Sequence, residues 1–203
     1  MIFTVGLTGG IGSGKSAASS RLGELGAAVV DTDMISRALT ASGGGAIVAL
    51  REAFGARAMA SDGSLDRSAM RILAFEDPAV RARLESILHP AIRAEADREL
   101  AAARGPYAVL VVPLLFETRG YVDRVDRILV VDAPEALQVE RASRRSGLAS
   151  DEVRAVMRAQ WPRWRRLQMA DDVAWNGGEL AALHAQCERL HARYAAEAAR
   201  RAG

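Results

Sequence analysis

Eight residues near the N-terminus, Gly9-Gly10-Ile11-Gly12-Ser13-Gly14-Lys15-Ser16, meet every defined position of the pattern G-x-x-x-x-G-K-[ST]. The residue types match the chemistry of holding a polyphosphate. Glycines let the backbone curl closely around an anion, since they add no side chain and accept unusual angles. The loop N–H groups then point inward, and a following helix would add its positive end. In that arrangement Lys15 reaches the β- and γ-phosphates, and the Ser16 hydroxyl serves a Mg²⁺ ion accompanying ATP. The segment Gly12-Ser13-Gly14-Lys15-Ser16-Ala17 also imitates a dinucleotide fingerprint, with Asp31 as the distant acid. That reading leaves Gly9, Lys15 and Ser16 without a joint role, whereas the phosphate loop uses all three.

The loop needs a strand before it and a helix after it, and the flanking sequence supplies both. Ile2–Leu7 is a short apolar run of β-formers, read as a buried parallel strand. Lys15–Leu25 reads as a helix, with Gly26 as its stop signal. Ala27–Val30 is a second strand, ending on Asp31-Thr32-Asp33. A carboxylate there lies beyond the carboxyl end of a strand, where open α/β sheets bind ligands. Asp31 reads as a cap for the next helix. Asp33 reads as the group that takes a proton from an acceptor hydroxyl or holds metal waters.

Further along, helical patterns dominate from about 35 to 104, broken by turns at Gly43–Gly45 and Ser61–Ser64. Asp77-Pro78 is a capping residue followed by proline at the first helical position. Strands are expected at Tyr107–Val112, Arg127–Val131 and Asp172–Ala174. Helices are expected at Pro134–Arg145 and from a cap at Ser150. The final helix places Leu180, Leu183, Cys187, Leu190 and Tyr194 on one stripe. Alternating strands and helices imply an α/β fold with a central parallel sheet covered on both faces. The block at 35–104 is too long for a simple crossover and is expected to form a helical insertion on the substrate side of a single domain spanning 1–203. The arginine-rich stretch at about 140–170 is expected to be a helical lid.

Composition narrows the function classes. The chain has 203 residues, enough for one sizeable α/β domain, and a formal charge of only +2. Arginines are spread along it, so a small anionic molecule fits better than nucleic acid. Lys and Arg together occupy 27 positions, and Lys15 alone among them is lysine. A compact ammonium on a flexible stem serves a phosphate site in a way a planar guanidinium does not. The single cysteine, Cys187, lies in an apolar stripe and reads as packing. With one cysteine no intrachain disulfide forms, and neither a signal peptide nor a membrane-length apolar run is evident. The expectation is a cytoplasmic protein without membrane or nucleic-acid partners, monomeric or a small homo-oligomer.

A guanine-reading N-K-x-D motif is excluded, because no lysine follows Lys15. A small kinase remains, which needs an acceptor site, a proton-accepting or orienting group, and cations over the transferring phosphoryl. At this point the chain resembles the dephospho-CoA kinase family, from Gly6 to Gly178. The resemblance is carried by Gly6–Ser16, Asp31/Asp33, Asp62-Gly63 with Leu65-Asp66-Arg67, Leu84-Glu85, Leu88-His89-Pro90 and Pro113–Glu117. Gln138, Arg141, Arg145, Gln160, Arg163, Ala170-Asp171 and Asn176 continue it. It implies a three-layer P-loop NTPase fold and phosphoryl transfer from ATP, with Mg²⁺, to the ribose 3′-hydroxyl of dephospho-CoA. It implies Asp33, Lys15 and Arg145 as catalytic residues. ATP would be held by Gly10, Ile11, Gly12, Ser13, Gly14, Lys15, Ser16, Ala17, Arg141 and Asn176, with Ser16 the metal ligand. The acceptor side would comprise Thr8, Asp33, His89, Pro90, Leu114, Phe116 and Glu117. Two departures stand out: Ala17 where many members have Thr, and Ser146 where Asp commonly follows the lid arginine.

The same residues admit plainer readings. His89 before Pro90 reads equally as a helix-end histidine with a structural hydrogen bond. Pro113–Phe116 reads also as a buried strand exit, and Trp161 and Trp164 as lid packing. Arg163-Trp164-Arg165-Arg166 reads as a solvated basic face or as an anion site for one or two of its members. Two other functions share the loop: another small-molecule or nucleoside kinase, and a non-enzymatic nucleotide-binding module.

Overall fold

The computed structural model describes residues 2–118 and 120–202. Two compact units emerge: the chain up to Val30 together with the chain from Leu100 onwards, and Asp31–Glu99.

The first unit is built on a five-stranded parallel sheet. Its strands are β1 (Thr4–Gly9), β2 (Ala28–Asp31), β3 (Ala108–Val111), β4 (Arg127–Asp132) and β5 (Asp172–Trp175), in the spatial order β2-β3-β1-β4-β5. β1 is central, with Gly6 opposite Leu110 on one side and Ile128 on the other. Both faces of the central strands are covered, so β1 and β3 are buried along their whole length, and β3 reads as an unbroken apolar run. β1 begins two residues later than the sequence pattern indicates and continues to Gly9, so the strand feeds directly into the glycine loop. Edge strand β5 alternates buried and exposed residues instead.

The helices of this unit are α1 (Lys15–Glu24), α6 (Glu135–Ser146), α7 (Ser150–Ala159), α8 (Arg163–Gln168) and α9 (Leu180–Ala202). Leu183, Cys187 and Tyr194 of α9 are buried in the main core with Val5, Leu7, Leu22 and Leu129. Leu180 departs from the expected stripe and is exposed, because it opens the first turn of α9 ahead of the packed portion. Burial pushes the Cys187 thiol up to about 11, consistent with a packing role. Ser150 is not the cap of α7. Ala149 occupies that position in extended backbone, and Glu152 reaches back to accept its N–H at 2.8 Å. Among the described residues no helix is long and apolar enough to cross a membrane.

The second unit is helical: α2 (Thr32–Leu39), α3 (Ile47–Phe54), α4 (Arg67–Glu76) and the long α5 (Pro78–Ala102), which runs on past the unit boundary. Its core gathers Ile47, Leu50, Phe54, Leu65 and Met70. Caps are local. Asp31 accepts from Asp33 N at 2.8 Å, Asp66 from Ser68 N at 3.0 Å, and Asp77 from Ala79 N at 2.7 Å. Pro90 lies inside α5, so His89 is a mid-helix residue and not a helix-end histidine.

Candidate active site

The glycine loop of the first unit is shaped by its own backbone and by groups from far along the chain. Gly12 and Gly14 have φ of 72° and 101°, in the left-handed region that glycine occupies without strain. Gly14 is the N-cap of α1 and has no side chain to occupy the helix's first N–H groups, which suits them to an anion. Lys15 Nζ arches back to donate to the carbonyls of Gly9 at 2.8 Å and Gly10 at 3.0 Å. The lysine is thereby held over the loop entrance. Ser16 is exposed on the first turn of α1.

Three amide side chains brace this loop. Asn176, buried, donates through Nδ2 to Ser13 O at 2.8 Å, and a Cβ on Gly14 would lie 2.0 Å from the same nitrogen. Gln160 Oε1 accepts from Ile11 N at 3.1 Å. Gln138 is fully buried, and its Nε2 donates to Ala133 O at 2.7 Å. Its backbone oxygen would lie 2.2 Å from a Cβ on Gly12, and its side-chain Oε1 2.2 Å from one on Gly10. Gly10 and Gly12 fall at positions the phosphate-loop pattern leaves open, and the approach of Gln138 explains why they are glycine. Arg141 Nη1 donates to Asn176 O at 2.8 Å, tying α6 to the bracing asparagine. Arg145 is exposed on the last turn of α6. Ala17 is half-buried in α1 and packs against the main core.

The segment after β3 meets the closing segment between α7 and α8. Phe116 stacks on Trp161 with ring centroids 5.1 Å apart, and Glu117 Oε1 accepts from Trp161 N at 2.6 Å. Arg165 covers the same indole, 3.7 Å from the ring centroid. Leu114 is exposed, whereas Leu115 is buried. Thr8 is buried, and its hydroxyl donates to Pro113 O at 3.2 Å, so it acts on this segment from behind.

Asp132 escapes the motif reading, and Arg166 enters it only as one member of a basic run. Asp132, buried at the end of β4, holds Arg163 through both carboxylate oxygens at 2.7–3.1 Å. That bond raises the Arg163 pKa above the ordinary arginine range. The position of Asp132, an acid ending an apolar strand, was the available signal. Arg166 is buried, and its Nη1 donates to Trp161 O. Burial draws the Arg166 pKa down, against the pull of Glu117, Asp132 and Glu135. Arg163 and Arg166 share a groove of about 430 Å³ with Arg154, Arg158 and Gln160.

In the helical unit, Asp31 is the cap of α2, and Asp33 lies exposed in that helix's first turn. Arg67 donates to Thr40 Oγ1 at 2.6 Å and Ser36 O at 3.2 Å. A hollow of about 190 Å³ is lined by Ser36, Thr40, Arg67, Met70, Leu84 and Leu88. His89 is half-buried and Pro90 exposed on α5.

A parallel sheet of this order, carrying a complete phosphate loop between its central strand and the next helix, defines a P-loop kinase fold. A family model described as dephospho-CoA kinase matches residues 3–182. A dephospho-CoA kinase of Aromatoleum aromaticum is 61% identical over 97% of this chain and 96% of its own. One of Thiobacillus denitrificans is 54% identical over 98% and 99%. Among solved structures, the protein TT1252 of Thermus thermophilus superposes with a TM-score of 0.82 at 35% identity, covering 95% of this chain and 97% of that one. A shikimate kinase of Bacteroides thetaiotaomicron shares the fold at a TM-score of 0.53 and 16% identity, covering 94% and 96% of the two chains. The chain belongs to the dephospho-CoA kinase family.

Proposed function

We propose that this chain transfers the γ-phosphoryl group of ATP to the ribose 3′-hydroxyl of dephospho-CoA, giving coenzyme A and ADP. The observation that carries the reading is the braced phosphate loop in a chain of this family. In it the loop N–H groups and Lys15 hold the β- and γ-phosphates, while Arg141 and Asn176 flank the nucleotide. Asp33 takes the proton from the acceptor hydroxyl as the new P–O bond forms and the bond to the ADP oxygen breaks.

The Ser16 hydroxyl is a hard oxygen donor and fits Mg²⁺, which binds through one or two protein groups, nucleotide phosphates and water. When bound, that ion neutralises phosphate charge. Among the described residues no cluster of three or more His, Cys, Asp or Glu would hold a metal by itself, so the residues suit a metal carried by the nucleotide.

Within the helical unit, Asp33 and Ser36 lie three residues apart on one face of α2, and Thr40 is the C-cap of that helix. The hollow beside Ser36 and Thr40 takes part of the acceptor's pantetheine arm in this reading, with His89, Pro90, Leu114, Phe116 and Glu117 on the acceptor side. Binding of that arm would orient the ribose hydroxyl, so truncated acceptors lose turnover as well as affinity. Helices α6–α8 act as a lid that excludes water from the transferring group.

The test is transfer from labelled ATP to dephospho-CoA, adenosine, AMP and shikimate. Dephospho-CoA is expected to be preferred by a wide margin in kcat/KM. Equal use of adenosine or another small alcohol would make the chain a different P-loop kinase.

A further inference from the structure

Among the described arginines of 141–166, most heads are engaged or stand in solvent. Arg163 is gripped by Asp132, Arg141 by Asn176 O, and Arg165 lies over Trp161. Arg144 pairs with Glu140, and Arg145 is exposed. Arg166 differs. Its side chain is buried, and no carboxylate among the described residues lies within ion-pair distance of it. Its Nη2 would lie 2.9 Å from a Cβ on Gly10.

Gly10 is also where Lys15 Nζ donates, at 3.0 Å to the Gly10 carbonyl. Both cations therefore neighbour Gly10. Taking a guanidinium out of water without an ion-pair partner is costly, and burial is the largest influence on Arg166. A second polar group at the same spot lacks its partner. Gln138 is fully buried, its Oε1 makes no hydrogen bond, and it too abuts Gly10. An arriving anion would give the buried guanidinium an ion-pair partner, and a reoriented guanidinium would satisfy the amide oxygen.

We infer that Arg166, rather than Arg145, is the catalytic cation that donates to the γ-phosphoryl oxygens during transfer, with Gln138 positioning its head. This rests on the phosphoryl-transfer reading above. No proton moves at Arg166; it donates hydrogen bonds where negative charge spreads over the equatorial oxygens. The Trp161 peptide links the parts. Its N–H is held by Glu117 and its carbonyl by Arg166, so the segment after β3 and the cation share one brace.

The experiment compares Arg166→Gln, Arg166→Lys, Arg166→Ala and Arg145→Gln. It measures kcat, KM for ATP, and binding of an inert ATP analogue and of ADP with fluoroaluminate, a mimic of the phosphoryl group in flight. Arg166→Gln is expected to lower kcat about 10³-fold and to abolish the preference for ADP–fluoroaluminate, with analogue binding nearly intact. Free guanidinium, entering through the neighbouring groove, is expected to restore part of the Arg166→Ala activity. Arg145→Gln is expected to lower kcat at least about tenfold less than Arg166→Gln does. The inference is overturned if Arg166→Gln keeps near-parent kcat. It is also overturned if analogue binding and thermal stability fall together, without guanidinium rescue and with Arg166→Lys behaving alike. The fluoroaluminate and analogue binding measurements need no acceptor. They report on Arg166 even if dephospho-CoA proves to be the wrong substrate.

Discussion

Inside the sheet unit and inside the helical unit, different kinds of polar contact dominate. In the sheet unit the phosphate loop is pinned by groups very distant in sequence, with Ile11 bonded to Gln160 and Ser13 to Asn176. In the helical unit most side-chain hydrogen bonds are caps and turns two to four residues long, with Arg67 to Ser36 and Thr40 and Ser42 to Asp62 as longer links. Both units leave large apolar side chains exposed: Trp164 and Leu180 in the sheet unit, and Met34, Val48, Ile72 and, at 91%, Phe75 in the helical unit. The difference in polar contact matches the two tasks. Phosphate transfer depends on donors fixed to within fractions of an ångström, so its loop is over-determined by remote braces. On the proposed function, the helical unit serves a long acceptor, which calls for a surface more than a rigid cage.

The largest effect is expected at Lys15. Lys15→Arg and Lys15→Ala should both lose turnover by about 10³-fold or more in the transfer assay, since a larger planar head does not fit among phosphates and loop carbonyls. Near-parent activity of Lys15→Arg would remove the special role of this ammonium.

Next comes the pair on α2. Asp33→Asn is expected to fold and bind ATP but to lose at least about 10²-fold in kcat. Asp31→Asn should be mild, because asparagine caps a helix as well as aspartate does. The reverse ranking would move the catalytic role to Asp31.

Two glycines with nearly the same backbone angle make a direct comparison between the units. Gly12 has φ of 72° and Gly43 of 74°, yet a Cβ on Gly12 would strike Gln138 O, while one on Gly43 would meet nothing within 4 Å. Gly43→Ala is expected to cost about 1–2 kcal/mol in denaturant unfolding, the strain of the left-handed conformation alone. Gly12→Ala should cost more, by about 1–3 kcal/mol of crowding, and should also weaken ATP binding. Equal costs would show that the loop is less tightly braced than its contacts indicate.

The smallest effect is expected at Phe75. Phe75→Ser should leave unfolding free energy within about 0.5 kcal/mol of the parent, because the ring covers almost nothing. A clear destabilisation would mean that this face of α4 is covered in solution.

What the amino-acid order settled unaided was whatever neighbouring residues decide among themselves. The glycine loop between strand and helix, the Asp77-Pro78 helix start and the buried run of β3 follow from local sterics and periodicity. The cap role of Asp31 was legible for the same reason. Ser150 and Leu180 mark the limit of local reading, since either of two adjacent residues can open a helix and a stripe does not show which turn is covered. The extra glycines at 10 and 12, the Asp132–Arg163 grip and the burial of Arg166 were decided by tertiary structure alone. Each depends on side chains delivered by elements on opposite sides of a crossover, where no spacing rule in one dimension connects Gly10 to Gln138 or Arg166. Only the closing of the sheet packs those groups against one another, and there the low dielectric makes their exact partners matter.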